Sequence, residues 1–207
     1  MNTTNSFKKY LPWGLMAFFA IGIGLFVHAF SSGTALVIGP FQFLQGLRNR
    51  RPTLHRWMGR IYLTAILIGG LSAFVIAPGL ISGLVGEIGL MSLATLWLWT
   101  GLMAYINIRA GNIESHRNWM TRNYALTFAG VMLRLWLGTL IATQLPMLET
   151  KYAGDFNNLF VEVYRVVMWL AWVPNLFVAE WIIQRRRALQ TSFATTKDTA
   201  PLLTVTE

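Results

Sequence analysis

Residues 88–108 read IGLMSLATLWLWTGLMAYINI, a run of twenty-one without a charged side chain. The hydrocarbon core of a bilayer is about 30 Å thick, and a helix crosses it with roughly 20 apolar residues. This stretch therefore reads as a membrane span, and its flanks read the same way. Residues 58–77 are apolar apart from Tyr62, Thr64, Ser72 and the arginine at the entrance, Arg60. Residues 122–145 carry Arg134 inside an otherwise apolar run, and residues 159–184 carry Glu162, Arg165 and Glu180. The 207-residue chain is 55% hydrophobic and 12% charged, against about 25% charged in soluble domains. The expectation is an all-α integral membrane bundle. The chain contains no cysteine, which excludes disulfides, thiolate metal sites and iron–sulfur clusters.

The formal net charge of +9 would suit nucleic acid if the charges were scattered over one surface. They are segregated instead. Arg48, Arg50, Arg51, Arg56 and Arg60 lie before or at the entrance of the 58–77 span; Arg109, Arg117 and Arg122 lie before or at the entrance of the 122–145 span; Arg185, Arg186 and Arg187 follow the last. The alternate connections, residues 78–87 and 146–158, hold Lys151 against Glu87, Glu149 and Asp155. Alternation of this kind is what the positive-inside rule produces. It predicts a cell-membrane protein whose partner is the lipid bilayer, with no nucleic acid, and whose arginine-rich connections face the cytoplasm. Residues 1–10, with Lys8 and Lys9, are expected on the same side, and residues 185–207 are expected to form a disordered cytoplasmic tail, being polar and rich in Thr.

Residues 11–47 run without a charge apart from His28. As one helix they would extend about 55 Å, and Ser31-Ser32-Gly33 has the composition of a turn. The expectation is two spans, 11–30 and 33–48, giving six in all; one crossing, giving five, is the alternative. A further reading takes Lys8-Lys9, the apolar run and Val27-His28-Ala29 as a signal peptide cleaved after Ala29, also leaving five. Trp13, Trp57, Trp119, Trp169 and Trp172 fall near the proposed span ends, as an aromatic belt would. Gln42 and Gln45 are expected to face the bundle interior.

Two segments of the chain match each other. Leu54-His55-Arg56-Trp57-Met58-Gly59-Arg60-Ile61-Tyr62 and His116-Arg117-Asn118-Trp119-Met120-Thr121-Arg122-Asn123-Tyr124 share the pattern His-Arg-(x)-Trp-Met-x-Arg-x-Tyr, and each His follows an Arg, Arg48 or Arg109, seven residues earlier. This predicts an internal parallel repeat of two hairpins, which places His55 and His116 at one depth. Parallel repeats occur in transporters. Histidines so placed can ligate the two faces of a haem iron, with Arg56, Arg60, Arg117 and Arg122 on the propionates. The same groups can instead anchor the helix starts among lipid phosphates, or line a site for an anion or a quinone. Any metal role of His55 and His116 would be through haem iron.

Ionisable residues inside spans usually have partners there. Arg134, Asn175 and Glu180 are expected to cluster near the midplane, with the Leu170 carbonyl, which Pro174 cannot bond, as a further acceptor. His28, near the outer end of the first span, is a possible outer-side site.

Gly39-Pro40-Phe41-Gln42-Phe43, the two His-Arg segments, Leu133-Arg134-Leu135-Trp136 and Trp172-Val173-Pro174-Asn175 with Glu180 together resemble the bacterial membrane family known as domain of unknown function 2306, over residues 28–184. The resemblance implies a multi-pass membrane fold and no established activity. Members commonly carry a His before the Gly-Pro-x-Gln-Phe segment, where His28 stands, and a longer connection after the first span than this chain has. The His-Arg-Trp-x-Gly string is also similar to strings in b-type membrane cytochromes and iron reductases, which usually carry His pairs on both membrane sides; this chain has 3 His. Three functions follow as expectations: a membrane redox protein binding one haem b near the cytoplasmic side; a transporter or small-molecule binder using the Arg134–Asn175–Glu180 cluster; and a non-catalytic membrane protein whose polar groups fix helix packing. No nucleotide-binding glycine loop, Gly-x-Ser-x-Gly or His-Glu-x-x-His motif is present.

Overall fold

The computed structural model describes residues 3–199. All regular structure among them is helical. Helix α1 spans Thr3–Gln42, the short α2 Gln45–Arg50, α3 Pro52–Ile76, α4 Gly83–Arg109, α5 Ile113–Thr127, α6 Ala129–Gln144, α7 Leu148–Tyr152, α8 Phe156–Leu170 and α9 Val173–Thr199. Among the described residues, five segments are long and apolar enough to cross a membrane: Phe18–Gln42, Pro52–Gly79, Gly83–Arg109, Ile113–Tyr152 and Phe156–Ser192. The chain passes up and down through them as a multi-pass membrane bundle.

The expected turn at Ser31–Gly33 is absent, and α1 is one helix of 40 residues. Helical geometry absorbs the polar groups that suggested a break. The Thr34 hydroxyl donates to the Phe30 carbonyl one turn back, and Ser31 is buried against the bundle. The bundle thus follows the five-span alternative, and the odd count puts the start of α1 and the end of α9 at opposite ends. The tail expected to be disordered from residue 185 continues as helix α9 to Thr199. No glycine or proline interrupts it before Pro201; residues 200–207 lie outside the described residues, as do the side chains of Lys8, Lys9 and Trp13.

The turns follow from local chemistry. Pro52 opens α3, where its missing N–H is not needed. The Asn112 side chain accepts from the Ser115 N–H at 3.0 Å to cap α5, and Asp155 caps α8 by accepting from the Asn157 N–H at 2.8 Å. Gly111, at φ 77°, turns α4 into α5 with a backbone conformation that costs glycine nothing.

Small residues bring the central helices together, as membrane bundles require. A Cβ on Gly70 of α3 would stand 2.6 Å from Leu98 of α4, and one on Gly89 of α4 would stand 3.2 Å from Met168 of α8. Gly39 is the tightest position at the α1 interface. A Cβ there would lie 2.2 Å from the Tyr124 ring and 3.3 Å from Tyr62, so α1 wedges its C-terminal turns between the tyrosines of the two His-Arg helices.

The last two spans are broken. Residues 122–145 were expected as one span, and the chain bends at Phe128, between α5 and α6. Thr127 immediately before the bend donates its hydroxyl to the Asn123 carbonyl at 3.0 Å, a back-bond that bends helices. Between α8 and α9 the helix opens at Ala171–Trp172, because Pro174 has no N–H for the preceding turn. The Asn175 side-chain amide braces the break, donating to Ala171 O at 2.9 Å and to Ala125 O of α5 at 3.2 Å. Trp169 and Trp172 flank this break rather than a span end, and Trp172 is buried.

Candidate functional site

Helices α3 and α5 begin at the same end of the bundle, where α1 and α4 finish, and α9 emerges beside them. Every arginine of the three basic clusters is at this end. His55 sits in the first turn of α3. Its Nδ1 is buried without a hydrogen-bond partner, and Arg48, His116 and Arg56 are within electrostatic reach of the ring. His116 occupies the corresponding turn of α5, with Nδ1 2.8 Å from the Ala104 carbonyl. A carbonyl only accepts, so Nδ1 carries a proton, and in the neutral ring Nε2 keeps its lone pair. The two motif histidines, sixty-one residues apart in sequence, are neighbours.

The arginines divide into free and engaged. The Arg122 guanidinium clasps Glu180 of α9 with both Nε and Nη2, the second bond at 2.9 Å, and lies 4.7 Å over the Trp119 ring. Arg60 lies 5.1 Å over Trp57, and Arg185 lies 5.3 Å over Trp181; both rings are exposed, as interfacial tryptophans are. Arg56 and Arg117 are exposed. Arg186 has a buried Nη1 without a hydrogen-bond partner and stands near Arg117. Gln42, at the end of α1, has its Oε1 3.4 Å from where a Gly59 Cβ would stand, one turn beyond His55, and its Nε2 is buried without a partner. Gln45 is exposed rather than interior.

The expected Arg134–Asn175–Glu180 cluster is not assembled. Glu180 is taken by Arg122, and Asn175 is taken by the carbonyls at the helix break. Arg134 is exposed on α6, where its Nη1 donates to Gly130 O at 2.5 Å, close to Tyr164. Sequence depth alone located these residues, and rotation about each helix separates them. His28 faces α3, its Nδ1–H donating to Gly69 O at 2.8 Å with the Ser32 hydroxyl 3.5 Å from Nε2. At the opposite end, Arg165 donates to Ser82 O at 3.1 Å, and Lys151 pairs with Glu162 at 2.6 Å.

Just below the histidines lies a buried polar knot that the sequence reading did not single out. Tyr62 donates to Asn123 Oδ1 at 2.8 Å and meets Thr127 Oγ1 at 2.9 Å. Trp97 Nε1 donates to Thr127 Oγ1 at 2.8 Å, and Asn123 Nδ2 donates to Trp97 O and Thr100 Oγ1 at 2.8 and 2.9 Å. Every donor in it is used. Its signal was Tyr62 at the end of the first motif, Asn123 near the end of the second, and the polar residues Thr100 and Thr127 within apolar runs.

A family model described as "Predicted membrane protein (DUF2306)" matches residues 25–183. The chain belongs to the DUF2306 family of predicted membrane proteins. The match takes in His28, both His-Arg segments, the helix break and Glu180. No curated protein and no solved structure matches this DUF2306 protein. Among the described residues no group of three or more His, Asp or Glu side chains converges to hold a metal ion. A haem needs only two. His116 donates Nδ1–H to a backbone carbonyl, the kind of bond that orients ligating histidines. Of the four arginines expected on propionates, Arg122 and Arg60 are otherwise engaged, leaving Arg56 and Arg117.

The Arg122–Glu180 clasp ties α9 of this DUF2306 protein to α5. Its side chains are 21% and 38% exposed, so its worth lies toward the surface end of the range. Glu180→Gln is expected to lower stability by about 1 kcal/mol. Denaturant titration in detergent checks this, and no added loss from Glu180→Gln on an Arg122→Leu background would show that the whole effect passes through the pair.

Proposed function

We propose that this DUF2306 protein binds a small phosphate- or carboxylate-bearing molecule at its basic end, around His55, His116 and Arg186. The observation that carries the reading is the set of buried nitrogens without partners there: His55 Nδ1, Gln42 Nε2 and Arg186 Nη1. A buried unsatisfied donor costs about 1–3 kcal/mol, and an anionic oxygen ligand relieves that cost at several nitrogens at once. Arg56 and Arg117 add charge, and neither is in an ion pair among the described residues. The binding reading keeps the small-molecule function and moves it from the midplane to the arginine-rich end. The parallel repeat belongs to the same proposal, since two hairpins of one pattern supply the paired histidines. So does the orientation: the basic end faces the cytoplasm by the positive-inside rule, which with five crossings puts the start of α1 outside. The chain has no cysteine, so single cysteines at Arg50 and Glu149 report the two sides by membrane-impermeant labelling.

Thermal unfolding in neutral detergent tests the binding. Inorganic pyrophosphate and short-chain phosphatidylglycerol are the probes, one for a free phosphate and one for a lipid headgroup. One of them is expected to raise the midpoint saturably, and Arg186→Gln with His55→Leu is expected to remove the rise. Sodium chloride at matched ionic strength controls for screening. A midpoint indifferent to both probes, or a rise unchanged in the double variant, overturns the reading.

One observation favours a second reading, haem b: the free Nε2 of His116 beside His55. There His55 and His116 would hold the iron and Arg56 and Arg117 the propionates, and the group would supply one-electron transfer. Protein purified from a haem-replete host is then expected to show a Soret band that His55→Ala and His116→Ala each abolish. Its absence, or its survival in both variants, removes this reading.

A further inference from the structure

On the outer half of the bundle, away from the basic end, α4 and the broken last span enclose a groove of about 520 Å³, lined by Ile88, Met91, Ser92, Thr95, Leu96, Trp169 and Trp172. Its volume is that of a small-molecule site. Most of its wall is apolar, and two indoles form part of it, with ring centroids 5.7 Å apart and planes inclined at 37°. Their N–H groups differ. Trp169 donates to Val85 O at 3.3 Å. Trp172 is 6% exposed, and its Nε1–H is buried with no acceptor.

Depth limits what that acceptor can be. Trp172 lies sixteen residues beyond the start of α8 at Phe156 and thirteen before Arg185, about 24 and 20 Å along the helix axis. It is therefore near the middle of the hydrocarbon layer. The ester carbonyls of phospholipids lie at the edge of that layer, about 15 Å from its centre, and their chains bring no acceptor inward. Backbone that leaves helical geometry at this depth is tolerated where it lines a cavity or is buried in protein, and the Ala171–Trp172 break adjoins the groove.

We propose that the groove binds a lipid-soluble molecule with a flat carbonyl-bearing ring, of the isoprenoid quinone class, its ring against the Trp169–Trp172 pair and a ring oxygen accepting from Trp172 Nε1 once a small turn of the indole uncovers its N–H. The apolar wall takes the ring and the first part of the tail, and the open side of the groove lets the remainder run into lipid. This site shares no residue with the basic end and stands or falls independently of it.

The test is equilibrium binding of decyl-benzoquinone to the full chain in lipid nanodiscs, followed by quenching of tryptophan fluorescence, with mono-olein as the acyl-ester competitor. Saturable binding is expected, weakened about tenfold in Trp172→Phe, which keeps the ring wall and removes the donor. Ser92→Trp, which fills the groove from α4, is expected to abolish it while the thermal midpoint stays within a few degrees. Binding that is absent, equal in both variants and the native chain, or displaced by mono-olein at equal concentration overturns the proposal. Should Trp172→Phe not fold, the Ser92→Trp result decides alone.

Discussion

Asn123→Leu is expected to lower the unfolding free energy by about 3 kcal/mol, the larger part of it from groups left behind. Asn123 is fully buried and donates to Trp97 O and Thr100 Oγ1 while accepting from Tyr62. Leucine has the same branching, though it is bulkier, and satisfies none of them, and each stranded buried group costs about 1–3 kcal/mol. Side-chain hydrogen bonds in membrane bundles often contribute less, about 0.6 kcal/mol on average, because the unfolded chain in lipid finds other partners. Three bonds on one amide, closed into a ring with Thr127, place this case above that average. Unfolding in mixed micelles checks it, and a loss under about 0.5 kcal/mol would show that the knot contributes little. Thr127→Val, which leaves the Trp97 indole without its acceptor, is expected to cost roughly half as much.

Gly39→Val is expected to cost about 3 kcal/mol by a different route. Its Cβ would stand 2.2 Å and 2.4 Å from two carbons of the Tyr124 ring, and valine adds two methyls beyond that. The obstacle is a ring packed 5.6 Å from Phe43 on one side and 6.5 Å from Phe128 on the other, so it cannot simply swing away. Overpacking of this kind costs about 1–3 kcal/mol and displaces backbone. The expected displacement is of α1 away from α3 and α5. Combining Gly39→Val with Tyr124→Ala should recover most of the loss in the same measurement. An unaltered stability for Gly39→Val alone would show that α1 is not wedged between the tyrosines.

The spans from Arg48 onward were legible because apolar length and charge placement are properties of composition, which a helix preserves whatever its neighbours. The first span was misread at Ser31–Gly33 because serine and threonine hydroxyls can bond their own helix as readily as break it, a choice decided by packing. Pro174 pointed to the break in the last span, and Asn175 was visible as polar. That the asparagine serves the break, instead of reaching Arg134, depends on rotation about the helix axis, which spacing within one span does not give. Pairing between spans, such as Arg122 with Glu180 or Tyr62 with Asn123, was hidden because nothing along the chain fixes how one helix is turned toward another.

The knot of Tyr62, Asn123 and Thr127 has a mechanical consequence. Tyr62 lies seven residues beyond His55 on α3, and Asn123 lies seven beyond His116 on α5, about 10 Å in each case. The two histidines therefore ride on short stiff levers of equal length that share one pinned fulcrum. Levers that short cannot part widely without tearing the fulcrum open. The distance between the two helix starts is therefore preset by residues a full two turns below them.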